Sequence, residues 1–588
     1  MEEGFEFESV LVADCGSTTT RVALIDLVGD EFRLVATGET ATTVEVPWSR
    51  ISMGVREAIH QIERLTGRVL LSGQGQLVVP ERDDGSGVDG LVATVNAAVP
   101  LRVAVVGLIR GLSVESLLKA TDCSYVVVQS DIAGDDRAGS DGDGGGIAAM
   151  LTGTLRNRPD VVLLGGGIDG GAVAPVLDAA MDVAAALSAS EEGGRVQVVF
   201  AGNTALRTDI ARILGECSNL RVVDNVRPTL GEENLGAAEE ELRRLYREAK
   251  MGRVPGFGEL KSWALAPIMT TAEGLEFVLR YLSRLYQLST LAVDVGSAAT
   301  HVVGVVGGRY GSTVSAQLGV GHSISHVLDQ VGMDRVLRWL PFELDPEEAH
   351  NYLLNKALRP MTVPETEEGL LLEQAAAREA IRLTLERARS RWLGSGAPAD
   401  QGLMPALDLI VGRGEVLSRA PSRGQAALIL LDAIQPTGVC TLALDQASLL
   451  PQLGALAAVQ PFAAAQTVAR DGLLKLGTVI AVSGSGKIGC VALKLKIEYD
   501  DGQTIRAEVP YGELEVVPLM TGKRAVVELR PSSQFDIGLG SRGRGATTEV
   551  DGGALGIIVD ARGRPLSLPG DGEKRQSKIR EWMGELGP

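Results

Sequence analysis

An apolar strand running into an Asp-x-Gly-Ser turn occurs twice in this chain. Val10-Leu11-Val12-Ala13 leads into Asp14-Cys15-Gly16-Ser17-Thr18-Thr19, and Thr290-Leu291-Ala292-Val293 leads into Asp294-Val295-Gly296-Ser297-Ala298-Ala299-Thr300. In each, a strand carries a carboxylate to its end, and the glycine lets the backbone bend so that amide N–H groups face a phosphate. Hydroxyls supply further donors. Another apolar run follows each turn, Val22-Ala23-Leu24-Ile25 and Val302-Val303-Gly304-Val305-Val306, so each unit reads strand, turn, strand. A Walker loop needs a helix there. One such segment is more commonly an ordinary hairpin, but the repetition favours phosphate binding and a two-lobed nucleotide clamp. Asp14 and Asp294 are then expected to face each other across a cleft, each reaching a Mg²⁺ ion directly or through its waters.

The 588 residues allow three or four domains at about 150 residues each. Hydrophobic residues at 45% and charged residues at 22% give a globular chain rather than a disordered one. The net charge of −19 argues against binding nucleic-acid backbones and favours small-molecule or protein partners. No apolar run approaches the roughly 20 residues that span a bilayer, and the first residues are acidic, unlike a signal peptide, so a cytoplasmic location is expected. Cys15, Cys123, Cys217, Cys440 and Cys490 are scattered, with neither a disulfide framework nor metal-type spacing. Cys15 stands apart because it would lie beside a bound phosphate.

Residues 8–40 read as a three-stranded meander, followed by a helix over 50–64, a strand over 101–107 and a helix near 114–120. With the strand at 125–129 this gives the order of an actin-like lobe, although other mixed α/β topologies share it. Residues 130–146 hold Asp131, Asp135, Asp136, Asp141 and Asp143 among glycines, without calcium-loop spacing, and read as a solvated loop. Strands ending in Gly165-Gly166-Gly167-Ile168-Asp169-Gly170-Gly171, Ala201-Gly202-Asn203 and Asp224-Asn225 alternate with helices, as in an α/β insertion. Helices are expected over 236–250, 271–286 and 365–392, and one containing His322 and His326, which are read as surface or interface residues. From residue 437 onward short β-like runs suggest a separate β-rich domain closed by a helix near 574–586. Ser483-Gly484-Ser485-Gly486-Lys487 lacks the first glycine and the Ser/Thr of a P-loop and reads as a hairpin turn.

Taken in order, the two Asp-x-Gly-Ser turns, the segment from Pro159 through Gly171, Ala201-Gly202-Asn203, Asp224-Asn225-Val226-Arg227-Pro228 and Leu318-Gly319-Val320-Gly321 resemble the glutamate mutase accessory (MutL) family, which is unrelated to mismatch repair. The resemblance covers residues 8 to about 436 and implies the actin, sugar kinase and Hsp70 ATPase superfamily. The implied fold is α/β: a two-lobed actin-like ATPase with ribonuclease H-like lobes. The expected domains are lobe I (1–121), an α/β insertion with connecting helices (122–290), lobe II (291–436) and a β-rich C-terminal domain (437–588). It implies ATP and Mg²⁺ as ligands, with Gly16, Ser17, Thr18 and Thr19 as the first phosphate turn and Gly296, Ser297, Ala298 and Thr300 as the second. Gly412 and Gly414 would lie where the family brings backbone close to the adenosine.

The implied role is chaperone-like: an accessory or reactivating protein in which ATP-driven domain motion opens an adenosylcobalamin-dependent mutase so that damaged cobalamin is exchanged. The second turn departs from the family pattern, because Ser297 replaces Gly, Ala299 replaces Thr and His301 replaces a final Asp. Hydrolysis is therefore expected to be slow or lost, with His301 able to substitute as a base only where its geometry permits. Arg413 and Glu415 are also unusual in the adenosine turn. A different class of function is an actin-like, nucleotide-dependent scaffold or filament. A small-molecule kinase ranks last, since no acceptor-activating Asp is identifiable.

Overall fold

In the computed structural model, residues 7–139, 147–190, 196–393 and 403–587 are described. The chain divides into two compact units, one of residues 1–97, 258–312 and 317–588 and the other of 98–257 and 313–316.

The larger unit contains both Asp-x-Gly-Ser turns. Its first sheet has the order Glu31–Ala41, Thr19–Val28, Ser9–Cys15, Leu91–Val95. The first three strands are antiparallel neighbours, whereas Leu91–Val95 runs parallel to Ser9–Cys15. An eight-stranded sheet repeats this scheme: Arg309–Ser315, Thr300–Val306 and Thr290–Val295 form the meander, and Leu409–Arg413 lies parallel to Thr290–Val295. It then continues through Gly438–Leu444, Leu474–Ala481, Gly556–Asp560 and Leu514–Val517. This repeated arrangement, a meander extended by a parallel strand, is the α/β, actin-like scheme. Every residue of Ser9–Cys15 and of Thr290–Val295 is buried, as central strands covered on both faces must be.

One hydrophobic cluster joins the two sheets. It includes Val10, Val12, Ala23 and Val92 from the first, Ala292, Val303 and Val411 from the second, and residues of helices Thr271–Tyr286 and Leu450–Ala457. Thr270 and Glu273 form a capping box that starts the first of these helices. Gly274 and Gly454 let the two helices touch: a Cβ on Gly454 would lie 1.9 Å from the Gly274 carbonyl oxygen.

The smaller unit is a five-stranded parallel sheet in the order Val126–Ala133, Leu101–Gly107, Val161–Leu164, Gln197–Phe200, Asn219–Val222. Helices including Ile147–Leu155, Ala174–Ser188 and Arg207–Leu214 cover an aliphatic core rich in Val and Ala.

The sequence reading assigned Leu101–Gly107 to the first lobe, but that strand pairs on both sides with strands of the smaller unit. The lobe's own parallel strand is the five-residue Leu91–Val95. Both are buried parallel strands of similar composition, so their apolar pattern carries no sheet address. The residues beyond 437 also differ from a self-contained domain. Four of their strands, Gly438–Leu444 among them, extend the eight-stranded sheet, and among the described residues Thr504–Pro510, Val491–Tyr499, Arg524–Pro531 and Ala546–Asp551 form a sheet of their own. His322 precedes helix Ile324–Val331 instead of sharing it with His326. Asp131, Asp135 and Asp136 are solvated as expected, but they stand in strand Val126–Ala133 and the helical turn Gly134–Gly139 and converge on Arg110, through its guanidinium and backbone N–H. Asp141 and Asp143 lie outside the described residues.

Candidate functional site

Strand register sets the neighbours of each turn's carboxylate, and Arg413 links the two turns. Asp294 pairs across the sheet with Arg413 on the parallel side and with His301 on the antiparallel side. Asp14 is likewise flanked by Arg21 and Thr94. Arg413 is 7% exposed, and its fork reaches three carboxylates. Nη2 lies 2.7 Å from Asp14 Oδ2, Nη1 2.5 Å from Asp294 Oδ2 and Nε 3.2 Å from Asp445 Oδ2. Burial works against the guanidinium charge, but Asp294, Asp14 and Asp445 together raise its pKa.

The remaining oxygens of two carboxylates are already engaged. Asp14 Oδ1 accepts from the hydroxyls of Thr94 and Thr271, each at 2.8 Å. Asp445 Oδ1 and Oδ2 accept from the backbone N–H groups of Leu449 (2.7 Å) and Leu450 (3.1 Å). Burial pushes the Asp445 carboxyl up to about 6, against the pull of Arg413 and those two N–H groups. Only Asp294 Oδ1 has no hydrogen-bond partner among the described residues.

These residues do not fit a Mg²⁺ ion between Asp14 and Asp294. Magnesium demands near-octahedral oxygen coordination, and here a guanidinium stands on both carboxylates. Among the described residues no group of His, Cys, Asp and Glu is arranged to hold a metal.

The turns themselves present backbone donors of the kind that hold anions. In both turns the glycine N–H is used internally, Gly16 to Thr19 O and Gly296 to Ala299 O, each at 2.9 Å. The N–H groups of Ser17, Thr18, Ser297 and Ala298 take no partner among the described residues, and all four residues are half-buried. The Thr19 hydroxyl donates to Glu415 Oε1 at 2.9 Å, and Arg21 Nη2 donates to the same oxygen at 2.6 Å. Burial raises the Glu415 pKa, but Arg21 and Thr19 outweigh it and hold the carboxyl below its usual value. Arg21 also pairs with Glu39, and both line a neighbouring cavity of about 350 Å³ with Arg419, Gln446, Ser448 and Gln452.

The other candidates fall into packing positions. Ser297 Oγ accepts from the His322 N–H and lies 3.0 Å from His322 Nδ1. The Thr300 hydroxyl donates to Leu318 O. His301 is 3% exposed, with Nε2 2.9 Å from Ser312 Oγ, which in turn donates to Glu276 at 2.5 Å. The space beside Gly412 is filled by Leu430 and Leu444, while Gly414, at φ +104°, lies against Val295 O. Cys15 is fully buried, and burial raises its thiol pKa far above the usual value. Sequence reasoning missed Thr94, Thr271 and Asp445. The last repeats the signal of the two turns, an aspartate directly after an apolar strand.

In the smaller unit, Gly167 O accepts from Asn225 Nδ2 and Gly170 N–H donates to Asn203 Oδ1, so the three segments after strands Val161–Leu164, Gln197–Phe200 and Asn219–Val222 meet. Positive φ angles at Gly167 (71°) and Gly170 (69°) account for those glycines.

The family described as MutL protein matches residues 10–471. The chain belongs to that family. Protein MutL of Clostridium tetanomorphum is 24% identical over an alignment 411 residues long that covers 65% of this chain and 78% of that protein. Among solved structures, this MutL-family chain is similar to nucleotide-free acetone carboxylase (13% identity, 86% of this chain and 82% of that one, TM-score 0.33). Glycerol dehydratase reactivase gives 12% identity, 77% and 100% coverage and a TM-score of 0.29. Component A of Acidaminococcus fermentans (R)-2-hydroxyglutaryl-CoA dehydratase gives 9% identity, 78% and 99% coverage and a TM-score of 0.28. Among the described residues, no helix is long and apolar enough to cross a membrane.

Proposed function

We propose that this MutL-family protein is an accessory protein of an adenosylcobalamin-dependent, glutamate mutase-like enzyme, and that it binds the phosphates of ATP between its two turns. The observation that carries this reading is the convergence of both Asp-x-Gly-Ser turns on Arg413. Ser17, Thr18, Ser297 and Ala298 present free N–H donors, the usual backbone means of holding a phosphate oxygen. Hydrolysis is slow in this reading, because the turn that would carry a water-polarising carboxylate has His301 in its place, engaged with Ser312. Family membership over residues 10–471 supports the choice of partner.

The test uses the full chain with a glutamate mutase whose cobalamin has been damaged. Recovery of mutase activity on adding this protein, ATP and intact adenosylcobalamin is the expected result, along with ATP binding by calorimetry. Absence of both recovery and co-purification with the mutase sinks the assignment of partner. Absence of ATP binding sinks the clamp.

A further inference from the structure

We propose that the turn from Gly412 to Glu415 supplies this cleft with its own cation, Arg413, in place of a divalent metal. The phosphate-binding consequence rests on the functional reading above, whereas the exclusion of metal stands on the geometry alone. Each of the three guanidinium nitrogen positions lies within ion-pair distance of a different carboxylate, and Nη1 and Nη2 also donate hydrogen bonds to Asp294 and Asp14. Asp14, Asp294 and Asp445 are at most 8% exposed, and three buried carboxylates without a cation would repel one another strongly. A hydrated Mg²⁺ ion and a guanidinium both meet that need, but they cannot share the position. The competing ion must displace a planar group fixed by three ion pairs and by its own strand, whose Gly412 O accepts from the Asp445 N–H at 2.9 Å.

The choice of arginine matters. A guanidinium stays charged under all ordinary conditions and spreads its donors in one plane, which suits three acceptors around an edge. It carries one positive charge where magnesium carries two, so the cleft keeps a net negative balance around the turns. A phosphate ligand therefore depends on the unpaired N–H groups of the turns for its binding, and its affinity does not respond to metal.

The experiment is a Mn²⁺ titration followed by electron paramagnetic resonance, on wild-type protein and on Arg413→Met, with ADP calorimetry in the presence and absence of excess EDTA. Wild type is expected to show no cleft-bound Mn²⁺, and R413M to gain a site about tenfold or more tighter than any in wild type, since removal of the guanidinium leaves a carboxylate cluster open to a hard ion. Loss of that gain in R413M/D294N locates the ion. The proposal is overturned if wild type binds Mn²⁺ as tightly as R413M, if folded R413M gains no site, or if ADP binding to wild type is abolished by EDTA. The wild-type titration and the EDTA comparison decide the matter even where R413M fails to fold. If wild type binds ADP under neither condition, the nucleotide reading fails while the Mn²⁺ result still decides this one.

Discussion

Asp560 offers a direct measure of how the region after residue 437 is tied to the rest of the larger unit. It is fully buried and accepts from Arg562 N, Nε and Nη2 and from Arg564 Nη2, the last at 2.6 Å. Arg562 continues to Asp432 at 2.7 Å, and Asp432 to Arg378 at 2.8 Å, so the cluster reaches helices Arg423–Ile434 and Glu367–Leu393. Trp582 of the C-terminal helix stacks on Arg562 with the guanidinium carbon 4.7 Å from the ring centre. Asp560→Asn keeps the shape but removes the carboxylate from Arg564 and one of the two carboxylates from Arg562, leaving Arg562 with Asp432 and Arg564 with the carbonyls of Pro436 and Gly563. Removing one partner of a buried ion pair costs about 3–5 kcal/mol, and that is the expected loss at pH 7. Burial raises the Asp560 pKa, but Arg562 and Arg564 outweigh it and hold it well below the usual range. A depressed carboxyl pKa contributes stability above the unfolded value and loses it as pH falls, so the gap between wild type and D560N should narrow below about pH 4. Urea denaturation gives the magnitude, and hydrogen exchange read by mass spectrometry gives the extent. Protection should fall together in Gly556–Asp560 and in both helices. A loss below about 1 kcal/mol, the scale of an exposed pair, would refute the coupling. So would loosening confined to residues 474–560 with both helices unchanged.

Three further outcomes are expected. Glu415→Gln removes the carboxylate that now holds the Thr19 hydroxyl and Arg21, so calorimetry should show pyrophosphate binding about fivefold tighter, the equivalent of one recovered hydrogen bond. Unchanged affinity would show that Glu415 does not compete for the first turn. Gly414→Ala places a Cβ 2.1 Å from Val295 O at φ +104°, and a loss of at least about 3 kcal/mol should appear as a lowered Tm. A Tm within error of wild type contradicts the close approach. The third outcome concerns pH. The folded Asp445 carboxyl, held up to about 6, binds a proton that the unfolded chain has already released, so its contribution to stability is greatest below the unfolded value and falls as pH rises to about 6. Arg413 opposes that shift, and R413M should therefore destabilise the protein more at pH 8 than at pH 5. Equal destabilisation at both pH values argues against Asp445 as the titrating partner.

What was legible in the sequence divides along the range of the physical signal. The two turns were readable because each is a local event: apolar strand, carboxylate, glycine, hydroxyls. Helix Thr271–Tyr286 was readable to the residue because its capping box and its amphipathic spacing lie within one segment. Leu101–Gly107 was read into the first lobe in place of Leu91–Val95 because a strand buried on both faces records its burial but not its neighbours. The same reason hid the continuation of the eight-stranded sheet through Gly438–Leu444, Leu474–Ala481 and Gly556–Asp560, whose alternation with polar turns looks the same in a small domain and at the edge of a large sheet. Arg413 was noticed as a departure, yet its meaning was not available, since a guanidinium one strand away from Asp294 and far along the chain from Asp14 becomes a cation site only once parallel register sets Asp294 beside it. Sequence thus supplied the anionic half of the cleft, and topology supplied its cation. That division explains why a reading from motifs alone placed a metal where the folded chain has put an arginine.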